Sequence, residues 1–237
     1  MSRVAIVVLL LASACAGTET GNPVALEITI HDDTPDGPVI DGAWLAVDQV
    51  GFRRDAACTP DTPATVTVDG PFLLDLGAGT TPAELAGVDL APGGYCSVEL
   101  IWAQAPAAPP DPAPAELGGV TVLLTGDRGD GTPFVLRSAR TDLLQLDAVE
   151  LQTTIPVTDR GLFVDFDADQ MLQSLDLDTA VIDADGTIRI EVGANDDLLA
   201  LFARDLHGSA TLYDDDDGDG VLDPAERAQG QGLAFGR

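Results

Sequence analysis

Apolar and polar residues alternate through much of this chain, and the alternation predicts strands. Leu26, Ile28 and Ile30 are spaced by Glu27, Thr29 and His31, the period of two of a strand with one face buried. Further strands are predicted at 44–52, 65–68, 72–76, 95–102, 120–124, 134–140, 149–157 and 162–167, with a brief one at 210–213. In 95–102 the residues Cys96, Val98, Leu100 and Trp102 share one face; in 162–167 Leu162, Val164 and Phe166 oppose Phe163, Asp165 and Asp167. Turn residues cluster between the runs. Asp, Pro and Gly fill 32–42, Pro92-Gly93-Gly94 precedes Tyr95, and Asp185-Gly186 between Val181-Ile182 and Ile188-Ile190 predicts a type I′ hairpin. Helical spacing is confined to 168–177, with Met171, Leu172 and Leu175 on one side, and to 196–206, where Asn195 is placed to cap and acids fill the first turn. The segment APAAPPDPAPAE, 105–116, is almost all Pro and Ala, has few N–H groups to give a sheet, and reads as a linker or a rigid surface connection. Together these elements predict an all-β domain over 25–206, an antiparallel β-sandwich with one or two short helices, followed by a C-terminal loop and tail over 207–237.

The first fifteen residues, MSRVAIVVLLLASAC, break the pattern. One basic residue, Arg3, precedes an uncharged apolar run from Val4 to Ala12, about half of the roughly 20 residues a membrane-spanning helix needs. Small residues follow, so 1–14 reads as a secretory signal. With cysteine directly after the small residues, the stretch resembles the leader of bacterial lipoproteins; ordinary secretion is the alternative. The resemblance implies that Cys15 is lipidated, that 15–24 is a tether, and, because Ala16 rather than Asp follows, that the protein sits in the outer membrane. Two or more acyl chains hold stably where one holds marginally. The same resemblance leaves Cys58 and Cys96 to form a disulfide in an oxidising compartment, the alternative being two separate buried thiols.

Charge narrows the partners. The 237 residues carry a formal net charge of -29, and all 11 basic residues are arginine. That balance excludes nucleic acid, whose binding needs clustered cations, and electrostatic docking on anionic lipid. An apolar share of 45% excludes a disordered acidic tail. The body also resembles an uncharacterised β-sandwich domain of bacterial outer-membrane lipoproteins, through AELAGVDLAPGGYCSVELIW (83–102) and LFVDFDADQMLQSL (162–175). The likeness spans roughly 25–192 and implies fold and location without an assigned activity.

One motif carries chemistry. DDDGDGVLDPAE, 215–226, fits the spacing D-x-D-x-D-G-x5-E of a calcium loop. Asp215, Asp217 and Asp219 would point to one centre, Gly220 permits the sharp turn, Val221 offers its carbonyl, Asp223 acts through water and Glu226 clamps with both oxygens. Asp223, Pro224 and Glu226 also form a good helix start, which would hold Glu226 in place. The twelve residues resemble EF-hand, dockerin and thrombospondin-type calcium loops. A strand at 209–213 in place of an entering helix, and the lack of a second loop to pair with, point to a structural site of the extracellular sort, with calcium as cofactor.

Other signals are weaker. Asp165, Asp167 and Asp169 alternate, but outward-facing strand acids in so acidic a chain need no catalytic role. Arg128-Gly129-Asp130 sits in GDRGDGT and reads as a tight turn. His31 and His207 read as surface residues. No nucleophile, metalloprotease or phosphate-loop motif occurs, so no catalytic residues and no enzyme are expected. The expected function is that of a calcium-stabilised, lipid-anchored envelope protein with a structural or surface-interaction role. The rival is an envelope ligand-binding module, its ligand an envelope protein or a glycan, which a solvent-facing aromatic beside a cleft would favour.

Overall fold

The computed structural model describes residues 21–32, 37–54, 63–91, 94–148, 155–156, 161–229 and 232–236. The strands are β1 (Asn22–Val24), β2 (Leu26–His31), β3 (Val39–Arg53), β4 (Val66–Asp75) and β5 (Val88–Leu90), then β6 (Gly94–Tyr95), β7 (Ser97–Trp102), β8 (Val122–Asp127), β9 (Pro133–Ser138) and β10 (Leu143–Ala148). They continue as β11 (Ile155–Pro156), β12 (Leu162–Asp167), β13 (Ile188–Ile190), β14 (Ala210–Asp214) and β15 (Ala234–Gly236). Helices are short: α1 (Ala168–Leu172), α2 (Asp196–Gly208) and α3 (Pro224–Gln229). The chain is therefore all-β, with mixed but mainly antiparallel pairing.

The sheet branches at β3, whose length lets it serve three neighbours. β4 runs antiparallel along one edge from Trp44 to Phe52. On the other edge the first half pairs with β8 and the second half with β7. Register shifts at Ile40/Gly42 and Val47/Gln49 bend the strand between these partners. One branch continues β8–β9–β13; the other runs β7–β10–β15–β14–β12–β2. At the far end of the second branch, the Ile30 N–H donates to the Leu76 carbonyl beyond β4, so β2 returns to the strand beside β3.

The main core draws on both branches. It joins Leu45, Val47, Val50 and Phe52 of β3 to Leu100, Leu124, Leu146, Val164 and Phe166. α2 closes it by inserting Leu198, Phe202 and Leu206, spaced four apart on one helix face. Under 105–116 a smaller cluster of Ala46, Ala105, Ala113, Leu117, Val120 and Leu123 forms. The Pro/Ala segment is thus a surface connection tied to the body, its ends held by Ala105 N–H to the Val120 carbonyl and Gly119 N–H to the Ala105 carbonyl.

Several elements differ from the pattern. The predicted strands 65–68 and 72–76 are one strand, because β3 pairs with both across a bulge at Val47/Gln49. β5 and β10, which are not among the predicted strands, pair with β1 and β7. β1 itself falls in the predicted tether. Asn195 holds the N-cap position of α2, its carbonyl accepting from Leu198 and Leu199 N–H, but it sits at φ 54 and its side chain bonds Val181 N–H and the carbonyls of Val181 and Arg189 in place of the helix. The 181–190 hairpin is wider than type I′, since Asp185 keeps a negative φ and only Gly186, at φ 87, is left-handed. Of the predicted strand 149–157 only β11 lies within the described residues.

Candidate metal centre

β14 delivers the acidic loop and α3 ends it. Asp215 is 3% exposed, and its two carboxylate oxygens accept from Gly218 N–H at 2.8 Å and Gly220 N–H at 3.2 Å. Asp217 and Asp219 each accept from the N–H two residues on, at 3.1 and 2.8 Å, so successive Asx turns wind the backbone around a centre. Gly218 and Gly220 both sit at φ 76, where a side chain would be strained. One oxygen from each of Asp215, Asp217 and Asp219 lies within 4.8 Å of the others. Carboxylates so close repel by about 1 kcal/mol per pair in water-like surroundings and several-fold more beside a buried group. A hard divalent cation, which prefers oxygen donors, would remove that repulsion; the donor set fits one.

Glu226 is placed by the helix start. Asp223 caps α3, accepting from Ala225 N–H at 2.7 Å and Glu226 N–H at 2.9 Å. Glu226 reciprocates with 3.0 Å to Asp223 N–H and reaches back 2.9 Å to Asp216 N–H. This reciprocal box ties the loop's two ends, and the buried Glu226 carboxylate keeps lone pairs beyond the two it uses. The loop seats on the body through Asp215, whose N–H donates to Gly161 O at 3.0 Å. A Cβ at Gly161 would lie 3.2 Å from the Asp215 carboxylate, so glycine permits that approach. Across a recess stands Glu27 of β2, its pKa raised by burial and then by the charge of Asp215.

A second polar group lies behind α3. The parallel register of β12 on β2 sets Asp165 opposite Thr29 and Asp167 opposite His31. Asp165 is 1% exposed, against the outward-facing expectation, because α3 and its flanks cover that side of β12. Its carboxylate meets His31 Nδ1 at 2.6 Å, Thr29 Oγ1 at 2.9 Å and Arg227 Nη1 at 3.9 Å. The hydrogen bond to Asp165 raises the His31 pKa above its usual 6.5, burial opposing. His31 is thus part of a buried ion pair, and His207 is half-buried against the Trp102 ring at 5.1 Å; neither is a simple surface residue. Asp167 caps α1 through Gln170 N–H. Arg128 folds back onto Asp130, Asp178 and the Leu177 carbonyl, which makes the RGD tripeptide a closed turn.

Of the sequence-predicted site residues, the structure brings Asp215, Asp217 and Asp219 together and engages Asp223 and Glu226 in the helix cap; Val221 stands exposed at the loop's rim. Cys96 is buried and disulfide-bonded, while Cys58 and Cys15 lie outside the described residues. Among the described residues no helix is long and apolar enough to cross a membrane. The Asp165–His31–Arg227 group was missed by sequence reading; a lone carboxylate amid Phe163, Val164 and Phe166 was the available signal. Comparison with protein-family models, with curated proteins and with solved structures finds no match.

Proposed function

We propose that this chain is a lipid-anchored protein of the bacterial outer membrane, attached through Cys15, whose β-sandwich body carries one structural calcium ion in the 215–226 loop and serves in envelope architecture or surface interaction. The sandwich reading rests on the branching at β3, which sends two runs of strands off one edge with a shared apolar core between them. The calcium reading rests above all on the three converging carboxylates of Asp215, Asp217 and Asp219, wound by left-handed glycines and closed by the Asp223–Glu226 box. Such a site ties the C-terminal segment to β12 and cancels repulsion in a chain of charge -29. Extracellular calcium modules bind at about 0.1–1 mM, an affinity suited to a permanently occupied staple outside the cell rather than to a sensor.

Calorimetric titration of calcium into the detergent-solubilised full-length chain tests the metal. One site, accompanied by a rise in Tm, is expected; no heat and no shift would dismiss it.

A ligand-binding role is the second reading, and one observation favours it: Tyr213, half-buried, borders a polar cleft beside α3.

A further inference from the structure

We propose that the recess between α3 and the β12–β14 ladder binds a single acidic sugar, a hexuronate, with Arg227 receiving its carboxylate and Tyr213 its ring. The recess has a volume of about 250 Å³ and is bordered by Asp165, Asp167, Gln170, Thr211, Tyr213 and Arg227 among others. That is below the ~300–1,000 Å³ of sites for drug-sized ligands and suits a single ring.

The hydrogen-bond accounting leaves donors over. Asp165 is satisfied from within by His31 and Thr29. Asp167 is consumed by the Gln170 backbone and side-chain N–H groups at 3.0 and 2.8 Å. The Ser209 hydroxyl donates to the Leu206 carbonyl. Arg227 differs. Arg137, Arg140 and Arg204 each hold a carboxylate within 3.0 Å, whereas the carboxylate paired with Arg227 among the described residues, that of Asp165, is at 3.9 Å. Its Nη1 makes only a long bond of 3.4 Å to the Leu222 carbonyl, and its buried Nε has no acceptor among the described residues. A guanidinium with an unused edge takes a carboxylate by two parallel bonds, the strongest pairing available to it. Beside it, Tyr213 offers an aromatic body with a polar tip, matching a sugar ring whose C–H face is apolar and whose rim is hydroxylated. Gln170 and Thr211 border the place where those hydroxyls would lie. Pro224, Arg227 and Ala228 of α3 make one wall, and Glu226 of the same helix closes the calcium loop, so calcium would steady the wall. That last link rests on the calcium reading; the pocket itself does not.

The test is calorimetry of sodium D-glucuronate with the full-length chain in detergent, at about 5 mM calcium and again in EGTA, with D-glucose and sodium acetate as comparisons. Glucuronate should bind at least about tenfold tighter than either comparison, and Arg227→Met or Tyr213→Ala should each weaken it by about tenfold or more, the worth of one charge-assisted bond. Should Arg227→Met fail to fold, the NMR signal of the Arg227 Nε–H in the unmodified protein replaces it, and must shift on adding glucuronate. No binding at about 10 mM glucuronate, acetate binding as tightly, or an Nε–H signal that stays put would each overturn the proposal. Glucuronate binding that is equal in calcium and EGTA would overturn only calcium's share. Binding without any calcium uptake would refute the calcium reading and uphold the pocket.

Discussion

Glu226 has two tasks that substitution can separate. Without metal its carboxylate accepts from Asp216 N–H at 2.9 Å and Asp223 N–H at 3.0 Å, joining the loop's ends. Glu226→Ala strands both donors in part-buried surroundings. At about 1–2 kcal/mol for each, the loss in chelator is about 2–4 kcal/mol, or roughly 4–16 °C in Tm for a domain of this size. Asp217 is the contrasting site: exposed, with one local bond to Asp219 N–H. Asp217→Asn should not lower Tm in chelator by more than about 2 °C, since surface changes of this kind cost under ~0.5 kcal/mol, and relief of its repulsion with Asp215 and Asp219 should act to raise it. Calcium adds the second axis. For a site with Kd of about 0.1–1 mM, about 5 mM calcium stabilises by roughly 1–2.3 kcal/mol, a rise of roughly 2–9 °C. Both variants should lose that rise, and only Glu226→Ala should melt early in EGTA. The assay is differential scanning calorimetry of the full-length chain in detergent, in EGTA and in calcium. Wild-type Tm unmoved by calcium would refute the metal argument, and Glu226→Ala melting with wild type in EGTA would refute the capping argument.

Other outcomes follow from the same geometry. Because the Asp165 hydrogen bond raises the folded pKa of His31 above 6.5, the stability it contributes is fully present below pH 6.5 and is lost as pH rises through the folded value. Unfolding followed by denaturant across that window should show this slope in wild type and its loss in His31→Gln. Arg53 and Glu99 form a buried ion pair between β3 and β7, so Arg53→Met should cost about 3–5 kcal/mol by leaving Glu99 charged and alone, whereas replacing both by apolar residues should recover most of it. Phe202→Ala, emptying the α2 anchor, should cost about 3–5 kcal/mol in chemical denaturation. Cys15→Ser should move the protein from membrane to soluble fractions on cell fractionation; unchanged retention would contradict the lipid anchor.

Period-two alternation located β2, β7, β9 and β12, and in β2 and β9 it also reports burial, one face turned to a core that must exclude water. It failed where burial reaches both faces. In β7, Ser97, Val98, Glu99 and Leu100 are all buried, and on its polar face Glu99 pairs with Arg53 of β3. It failed also for Asn195, whose side chain finds better partners on Val181 and Arg189 than on its own helix. The turn at Gly220 and the Asp223–Glu226 helix start were legible, because left-handed glycines and a capping box are local: the bonds of the loop span five residues or fewer, or close a twelve-residue loop whose ends the spacing fixes.

What the sequence determined alone, then, is what short-range chemistry can write: the strand periodicity, the acidic loop and its helix start, and the acid excess. Tertiary structure decided the rest. The parallel pairing of β2 with β12 carries Asp165 to His31, and α3, folded back by its loop, brings Arg227 over both. No local propensity encodes that meeting, because Asp165, 1% exposed, is tolerable as a carboxylate only once strands distant in sequence supply its partners.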